Sequence, residues 1–336
     1  MYTAQDFKSD QEVRWCPGCG DHAILASVQR TLPEIAEALN TPKENFVFIS
    51  GIGCSSRFPY YMNTFGMHAI HGRATAISTG VKVANPSLSV WQITGDGDAL
   101  AIGGNHFIHA IRRNVDINML LFNNEIYGLT KGQYSPTSKL GLVTKTSPFG
   151  TVERPFNPGE LVIGAGGTFF ARSLDVELKL SAECLKAAAL HAGCSVVEVL
   201  QNCVIFNDGA HSEFATKDVR EDKTITLKHG EPMIFGKNRD KGIVLDGMKL
   251  KAVQLSKNGA TEKDVLVHDA HESDSGIHAL LAAMKAPHLP VALGVIRAVK
   301  SDTYDRRVHE QVEQVAEKRT INSVDDLLHS GETWSA

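Results

Sequence analysis

The chain is poor in the features that mark secreted, membrane or nucleic-acid-binding proteins. Its 336 residues hold six cysteines, too few for a disulfide scaffold at this length, so metal or redox roles are the better expectation. There is no basic excess: 34 Lys and Arg against 38 Asp and Glu give a net charge of −4, and no Lys/Arg cluster occurs. That argues against nucleic acid or an anionic membrane surface as partner. Uncharged stretches such as 83–95 are short and broken by Pro, Ser and Gly, so none reads as a membrane span. The opening MYTAQDFKSDQEVRW lacks the apolar core of a secretory signal. Together these absences place the expected location in the cytoplasm. No internal repeat or low-complexity segment is visible. What is present is an apolar fraction of 43%, ordinary for a globular protein, in a chain long enough for two domains or one domain with additions.

Short apolar runs alternate with helical spacing. Strands are predicted at 46–50 (FVFIS), 88–94 (LSVWQIT), 117–122 (INMLLF), 168–172 and 195–200. Helices are predicted at 21–39, with Pro33 as a potential kink, at 74–84, after residue 98, and at 175–191. In the third of these, Gly104 falls on the apolar face and predicts close packing there. Beyond about 215 the chain is more polar and irregular, with helical composition at 305–319. Alternating strands and helices indicate an α/β fold with a parallel sheet, in which ligands sit beyond the carboxyl ends of the strands. The unusual residues fall at those ends: 51–54, 95–98, 123–127 and 202–203.

Two of these ends carry a diphosphate and metal signal. Asp96 sits between Gly95 and Gly97 directly after a strand, and Asn123-Asn124 follow the next strand. The 25 residues of 98–122 make one helix plus one strand, which returns both segments to the same sheet edge. Asp96 and Asn124 then offer a carboxylate and an amide oxygen, the ligand types of a hard cation such as Mg²⁺. The glycines permit close backbone approach to an anion at the following helix N-terminus. The arrangement resembles the thiamine diphosphate motif, which implies Mg²⁺ ligation by Asp96, Asn124 and the carbonyl of Ile126.

The cysteines form a second group. Cys16 and Cys19 make a C-x-x-C, Cys54 lies in a loop after a strand, and Cys203 ends another strand. Four thiolates suit a [4Fe–4S] cluster. Ligand type leaves a structural zinc site open. A thioredoxin-like pair is disfavoured, because only residues 1–14, all polar in character, precede the motif. Cys184 and Cys194 read as buried fillers.

Taken together, WCPGCGDH (15–22), GIGCSSRFPYY (51–61), HAIHGRATAISTGVKVANP (68–86), GDGDALAIGGNH (95–106), NNEIYGLTKGQYSPTS (123–138) and QNCVIFN (201–207) resemble the β subunit of the 2-oxoacid:ferredoxin oxidoreductases. The likeness covers most of 15–215 and is nearest the 2-oxoglutarate type. It implies a thiamine-diphosphate-binding fold of the diphosphate-binding type; the expected division is an arm and cluster segment with the first helix at 1–45, the cofactor domain at 46–215 and, where the likeness ends, an extension at 216–336 wrapping the domain or a partner. It implies CoA-dependent oxidative decarboxylation of a 2-oxoacid, reversible as CO₂ fixation, with electrons passing through the cluster to ferredoxin. Cys16, Cys19, Cys54 and Cys203 would hold the cluster. Ile52, Gly53, Cys54, Ser55, His71, Gly95, Gly97, Asp98, Gly128 and Leu129 would line the cofactor, and the Thr130 hydroxyl would reach its diphosphate.

His71 is a candidate partner for phosphate or the reacting carbonyl. Arg57 is a candidate for a substrate carboxylate or a coenzyme A phosphate, and Arg73 offers the same chemistry. One element is missing: the Glu that activates the aminopyrimidine comes, in this family, from another domain, and this chain has no room for it. An α subunit is therefore expected to supply it, in a dimer of αβ pairs. Competing readings are a pyruvate or branched-chain 2-oxoacid enzyme, a non-redox thiamine decarboxylase or ligase, and a zinc-stabilised scaffold.

Overall fold

The computed structural model describes residues 2–256 and 259–334. The five apolar runs form the centre of one sheet. Its strands are β1 (Phe46–Ser50), β2 (Phe65–His68), β3 (Ser89–Gly95), β4 (Asn118–Asn123), β5 (Phe169–Leu174), β6 (Ser195–Leu200), β7 (Thr224–Leu227) and, after a small antiparallel sheet of β8 (Ile234–Phe235), β9 (Lys241–Asp246) and β10 (Lys249–Gln254), β11 (Val291–Ala298). The order across the main sheet is β2-β1-β3-β4-β6-β5-β11-β7. From β2 to β5 every neighbouring pair is parallel. β4, β5 and β6 are buried along their whole length. That is why they read as continuous apolar runs rather than as alternating ones.

Helices α1 (Asp21–Ala38), α2 (Ala74–Ala84), α3 (Asp96–Leu100), α4 (Gly104–Arg113), α5 (Pro158–Gly164) and α6 (Leu178–Leu190) connect and cover the strands. The period of two along each strand divides the core. Leu120 and Phe122 pack with Val28 and Leu32 of α1 and Leu185 of α6. Met119 and Leu121 face the other side, with Phe107 and Ile111 of α4. Each of these side chains is almost fully buried, worth about 2 kcal/mol apiece before entropy is counted. No described helix is long and apolar enough to cross a membrane.

The structure corrects four expectations. The helix after Gly95 is two helices, broken at 101–103, and Gly103 rather than Gly104 is the tightly packed glycine. A Cβ on Gly103 would lie 2.3 Å from the Asp98 carbonyl oxygen and 3.1 Å from Gly72 Cα, whereas Gly104 faces open space. β2 went unread because its four residues are exposed and carry no burial pattern. The sheet is mixed, since β11 runs antiparallel to β5. Finally, the irregular stretch beyond 215 contributes β7 and β11 to the main sheet. The predicted helix at 305–319 is found at Tyr304–Glu317 and is largely exposed.

Candidate functional site

The four unusual segments follow β1, β3, β4 and β6, which are consecutive neighbours. Gly95 pairs with Phe122, and Asn123 with Leu200, so the strand ends are level. A cavity of about 460 Å³ opens there. Ile52, Gly53, Cys54, Ser55, His71, Gly95, Asp96, Gly97, Asp98, Asn124, Ile126, Gly128, Leu129 and Thr130 all line it. Asp21, Phe122, Tyr127 and Gln133 line it as well and were not singled out from the sequence. The volume lies within the range of small-molecule and cofactor sites.

Asp96 opens α3 and is 2% exposed. Its Oδ2 accepts hydrogen bonds from Ser135 Oγ and Thr137 Oγ1, both at 2.5 Å. Burial pushes its carboxyl up to about 6 despite these donors. Asp98 has a different task. Its Oδ1 accepts from the Ile52 and Gly72 amides at 3.0 and 2.7 Å, and Oδ2 from Thr94 Oγ1 at 2.7 Å. Asp98 thereby ties the loops after β1 and β2 to the end of β3. His71 Nδ1 lies 2.9 Å from the same Oδ1. Gly97 is required by contact: a Cβ there would sit 2.2 Å from Cε1 of Tyr127, whose hydroxyl donates to the Gly97 carbonyl at 2.9 Å.

Asn124 begins a tight turn. Its Oδ1 accepts from the Ile126 amide at 3.1 Å, and Glu125 takes a positive φ of 57°. Asn207 Nδ2 holds the Asn124 carbonyl from the side at 2.9 Å. Burial pushes the Glu125 carboxyl up to about 7. Thr130 is exposed at the rim and hydrogen-bonds to Gln133.

The cavity lining carries Asp21, Asp96 and Asp98 and neither Lys nor Arg. An anion such as a diphosphate therefore enters favourably only together with a cation. The oxygen donors of Asp96 and Asn124 suit a hard one. The residues present thus fit a magnesium–diphosphate pair. Among the described residues no three His, Cys, Asp or Glu side chains close on a single metal ion.

The cysteines gather at the same end of the sheet. Trp15 Nε1 donates to the Cys54 carbonyl at 2.7 Å, and its ring packs on Tyr61 at 4.8 Å between centroids. This fixes the C-x-x-C segment against the loop after β1. The Gly20 amide donates to the Asn202 carbonyl at 3.2 Å, and Gln201 Nε2 reaches Cys19 Sγ at 3.4 Å, which fixes it against the loop after β6. A point at the Cβ position of Gly128 would be 3.4 Å from Cys54 Sγ and 3.6 Å from Cys203 Sγ. Cys16 is exposed, whereas Cys184 and Cys194 are buried elsewhere in the core.

Burial pushes the Cys54 thiol up to about 12 and Cys19 higher still, with the Asp21 charge adding to both. A thioredoxin-type pair needs the opposite, a lowered thiol pKa. Asp21 is 2% exposed, its Oδ1 has no hydrogen-bond partner, and burial with Asp175 nearby pushes it up to about 7. It lies within the WCPGCGDH segment, but only its burial singles it out from its neighbours. Arg57 stands apart, in an adjoining cavity of about 410 Å³ shared with Arg14, Tyr60 and His68. Arg73 bonds the Gly72 carbonyl at 3.3 Å.

Comparison with known proteins adds three findings. Residues 51–199 match the family model of the C-terminal TPP-binding domain of thiamine pyrophosphate enzymes. The chain is 48% identical over 336 aligned residues to the 2-oxoglutarate oxidoreductase subunit KorB of Mycobacterium tuberculosis, covering 98% of this chain and 88% of that one. It is 47% identical to subunit beta of 2-oxoacid:ferredoxin oxidoreductase 1 of Aeropyrum pernix over 200 residues, 60% of this chain and 62% of that one. A solved 2-oxoglutarate:ferredoxin oxidoreductase from Magnetococcus marinus, with 2-oxoglutarate, coenzyme A and succinyl-CoA bound, superposes with a TM-score of 0.76 at 30% identity, over 99% of this chain and 97% of that one.

Proposed function

This chain belongs to the β subunits of the 2-oxoacid:ferredoxin oxidoreductases, and we propose that it carries the cofactor-binding half of a 2-oxoglutarate enzyme that forms succinyl-CoA reversibly. The observation that carries the reading is one of position: Cys54 lines the same cavity as Asp96 and Asn124, so one pocket adjoins both the sulfur group and the oxygen group. The names of the relatives and the ligands of the solved neighbour favour 2-oxoglutarate among 2-oxoacids.

In this reading Asp96, Asn124 and the Ile126 carbonyl hold Mg²⁺ on the diphosphate. Cys16, Cys19, Cys54 and Cys203 each hold a different iron of a [4Fe–4S] cluster, so they need not converge on one point. When bound, thiamine diphosphate supplies the nucleophilic carbon and electron sink for decarboxylation, and the cluster supplies one-electron transfer to ferredoxin. The chain's own work is positional. Asp98 locks the loop of 52–55 in place, Tyr127 supports the Gly97 backbone, and Ile52 and Ile126 exclude water. His71, whose Nδ1 lies 2.9 Å from Asp98, faces phosphate or the reacting carbonyl. The Thr130 hydroxyl reaches the diphosphate. Arg57 meets an anionic group of substrate or coenzyme A from the adjoining cavity. The partner α subunit completes the site with the activating Glu, in a dimer of αβ pairs, and the complex works in the cytoplasm.

The test is anaerobic co-expression with the α subunit. A brown complex with equal iron and acid-labile sulfide, reducing ferredoxin fastest with 2-oxoglutarate in a 2-oxoacid panel, is the expected result. The isolated β chain should show no turnover. A colourless thiamine-binding protein would indicate a non-redox enzyme, zinc without thiamine a scaffold, and a preference for pyruvate or branched 2-oxoacids a different member of the family.

Cofactor uptake should also depend on pH. Asp96 must shed its proton to bind metal, and burial holds that proton up to about 6. Retention of thiamine diphosphate with Mg²⁺ should therefore be full above pH 7 and weaken by about tenfold per pH unit below about 6. Calorimetry in buffers of different ionisation enthalpy should detect the released proton. Uptake that is flat from pH 5 to 8 would contradict the assignment.

A further inference from the structure

A buried ion pair lies in the middle of the sheet, away from the cavity lining. Arg172 on β5 and Glu198 on β6 are direct register partners, with side chains 6% and 1% exposed and Nε to Oε2 at 2.6 Å. Removing two charges from water costs several kcal/mol per ion, and apolar replacements of such pairs are often neutral or stabilising. Stability therefore gives no reason for this pair. Its geometry does. The other carboxylate oxygen, Glu198 Oε1, accepts from Asn123 Nδ2 at 2.8 Å. Asn123 Oδ1 accepts from Thr137 Oγ1 at 2.9 Å, and Thr137 Oγ1 also donates to Asp96 Oδ2 at 2.5 Å. Asn123, Thr137 and Asp96 are all buried.

Counting protons gives the chain a direction. Arg172 only donates, and Glu198 accepts from it at Oε2 and from Asn123 at Oε1. Glu198 only accepts, so Asn123 must turn its NH₂ toward it and its oxygen toward Thr137. The Thr137 hydroxyl has one proton and, besides Ser135 Oγ at 3.3 Å, two nearer acceptors in reach. Asn123 therefore draws part of that proton away from Asp96, whose Oδ2 already receives a donor from Ser135.

We propose that Arg172 and Glu198 are positioning residues for the metal site: they orient the Asn123 amide, which limits how strongly Thr137 donates to Asp96 and so keeps charge on the carboxylate for a divalent cation. The inference rests on the reading of Asp96 as a metal ligand. In Glu198→Gln, the new amide oxygen stays on Arg172 and its NH₂ faces Asn123. The Asn123 amide then turns over, its own NH₂ meets Thr137 Oγ1, and the whole Thr137 proton goes to Asp96. Two full hydrogen bonds on one oxygen withdraw charge from the ligand.

The experiment titrates Mn²⁺ by electron paramagnetic resonance into the co-purified αβ complex with thiamine diphosphate present. Glu198→Gln, which leaves the buried Arg172 charge without its counter-charge, should melt at a lower temperature yet fold, and bind Mn²⁺ about tenfold more weakly. In a Thr137→Val background, where the last link is gone, Glu198→Gln should change the affinity by less than about twofold. Equal effects of Glu198→Gln with and without Thr137→Val, or wild-type affinity in Glu198→Gln itself, would overturn the proposal. If Glu198→Gln does not fold, the volume-matched pair Arg172→Met with Glu198→Leu, which frees the Asn123 amide, carries the same test and the same two outcomes. Asp96→Ala, run alongside, separates the two readings: full Mn²⁺ binding there ends the ligand assignment itself, whereas lost binding there with normal binding in Glu198→Gln ends only the relay.

Discussion

Asp96→Ala should yield a folded protein that retains no thiamine diphosphate. The substitution removes a carboxylate that the fold tolerates at a cost, since burial lifts its pKa to about 6 despite the hydroxyl donors. Alanine fits the first turn of α3, and Ser135 and Thr137 keep each other as partners at 3.3 Å. The cofactor-free melting temperature at pH 8 should therefore hold or rise. Cofactor binding has no such substitute. The lining offers no Lys or Arg to neutralise a diphosphate, so without the metal the anion meets Asp98 and Asp21 unscreened. Loss of supporting residues around a metal typically costs 10–100-fold in affinity. Loss of the buried ligand itself should exceed about 100-fold, which after gel filtration means no detectable thiamine. Fluorescent thiamine assay and circular dichroism check the two halves separately. Wild-type thiamine content in a folded variant would refute the site.

Cys203→Ser should give a complex that binds thiamine diphosphate yet cannot reduce ferredoxin. Cys203 lies outside the cavity lining that contains Cys54, so the cofactor pocket stays intact while the proposed cluster loses a ligand. Iron and acid-labile sulfide should fall together, and ferredoxin reduction should drop by at least about 10³-fold, because the electron route rather than the binding step is cut. Cys184→Ala and Cys194→Ala are the controls. Both sulfurs are fully buried in the apolar core and serve as filling, so these variants should lose a little stability and no iron. Iron loss in either control, or full iron in Cys203→Ser, would reassign the ligands.

Much of this site was readable because it is local. Asp96, flanked by glycines after a strand, and the double Asn at the end of the next strand are contiguous signals, and Asp96, Asn124 and Ile126 lie on one cavity. The cysteines were readable by type. What joins them is the strand order, which puts β1, β3, β4 and β6 side by side. Other residues gave no chemical signal of their own. Asp21 gains its significance only from burial beside Cys19 and Asp175. Ser135 and Thr137 reach Asp96 from about forty positions along the chain. Arg172 and Glu198 are unremarkable charges until the register sets them opposite each other.

The fold divides in the same way. Burial on both faces forces a continuous apolar run, so the central strands announce themselves. β2 is exposed and does not. β11 is an apolar run isolated in an otherwise polar stretch, and its place depends on the edge of β5 more than a hundred residues earlier, while the short β7 joins only through β11. Gly103 takes the tight position because the chain breaks between α3 and α4, and periodicity assumes an unbroken helix.

The sequence by itself therefore determined the strand and helix alternation, the chemical types at the strand ends and the family to which they belong. Tertiary structure alone decided which carboxylates are buried and hard to ionise, which proton serves which acceptor, and which cation-poor cavity receives them. The physical reason is that ionisation and hydrogen-bond polarity depend on solvent exclusion and on partners brought within 3 Å by packing, and neither quantity is written along the chain.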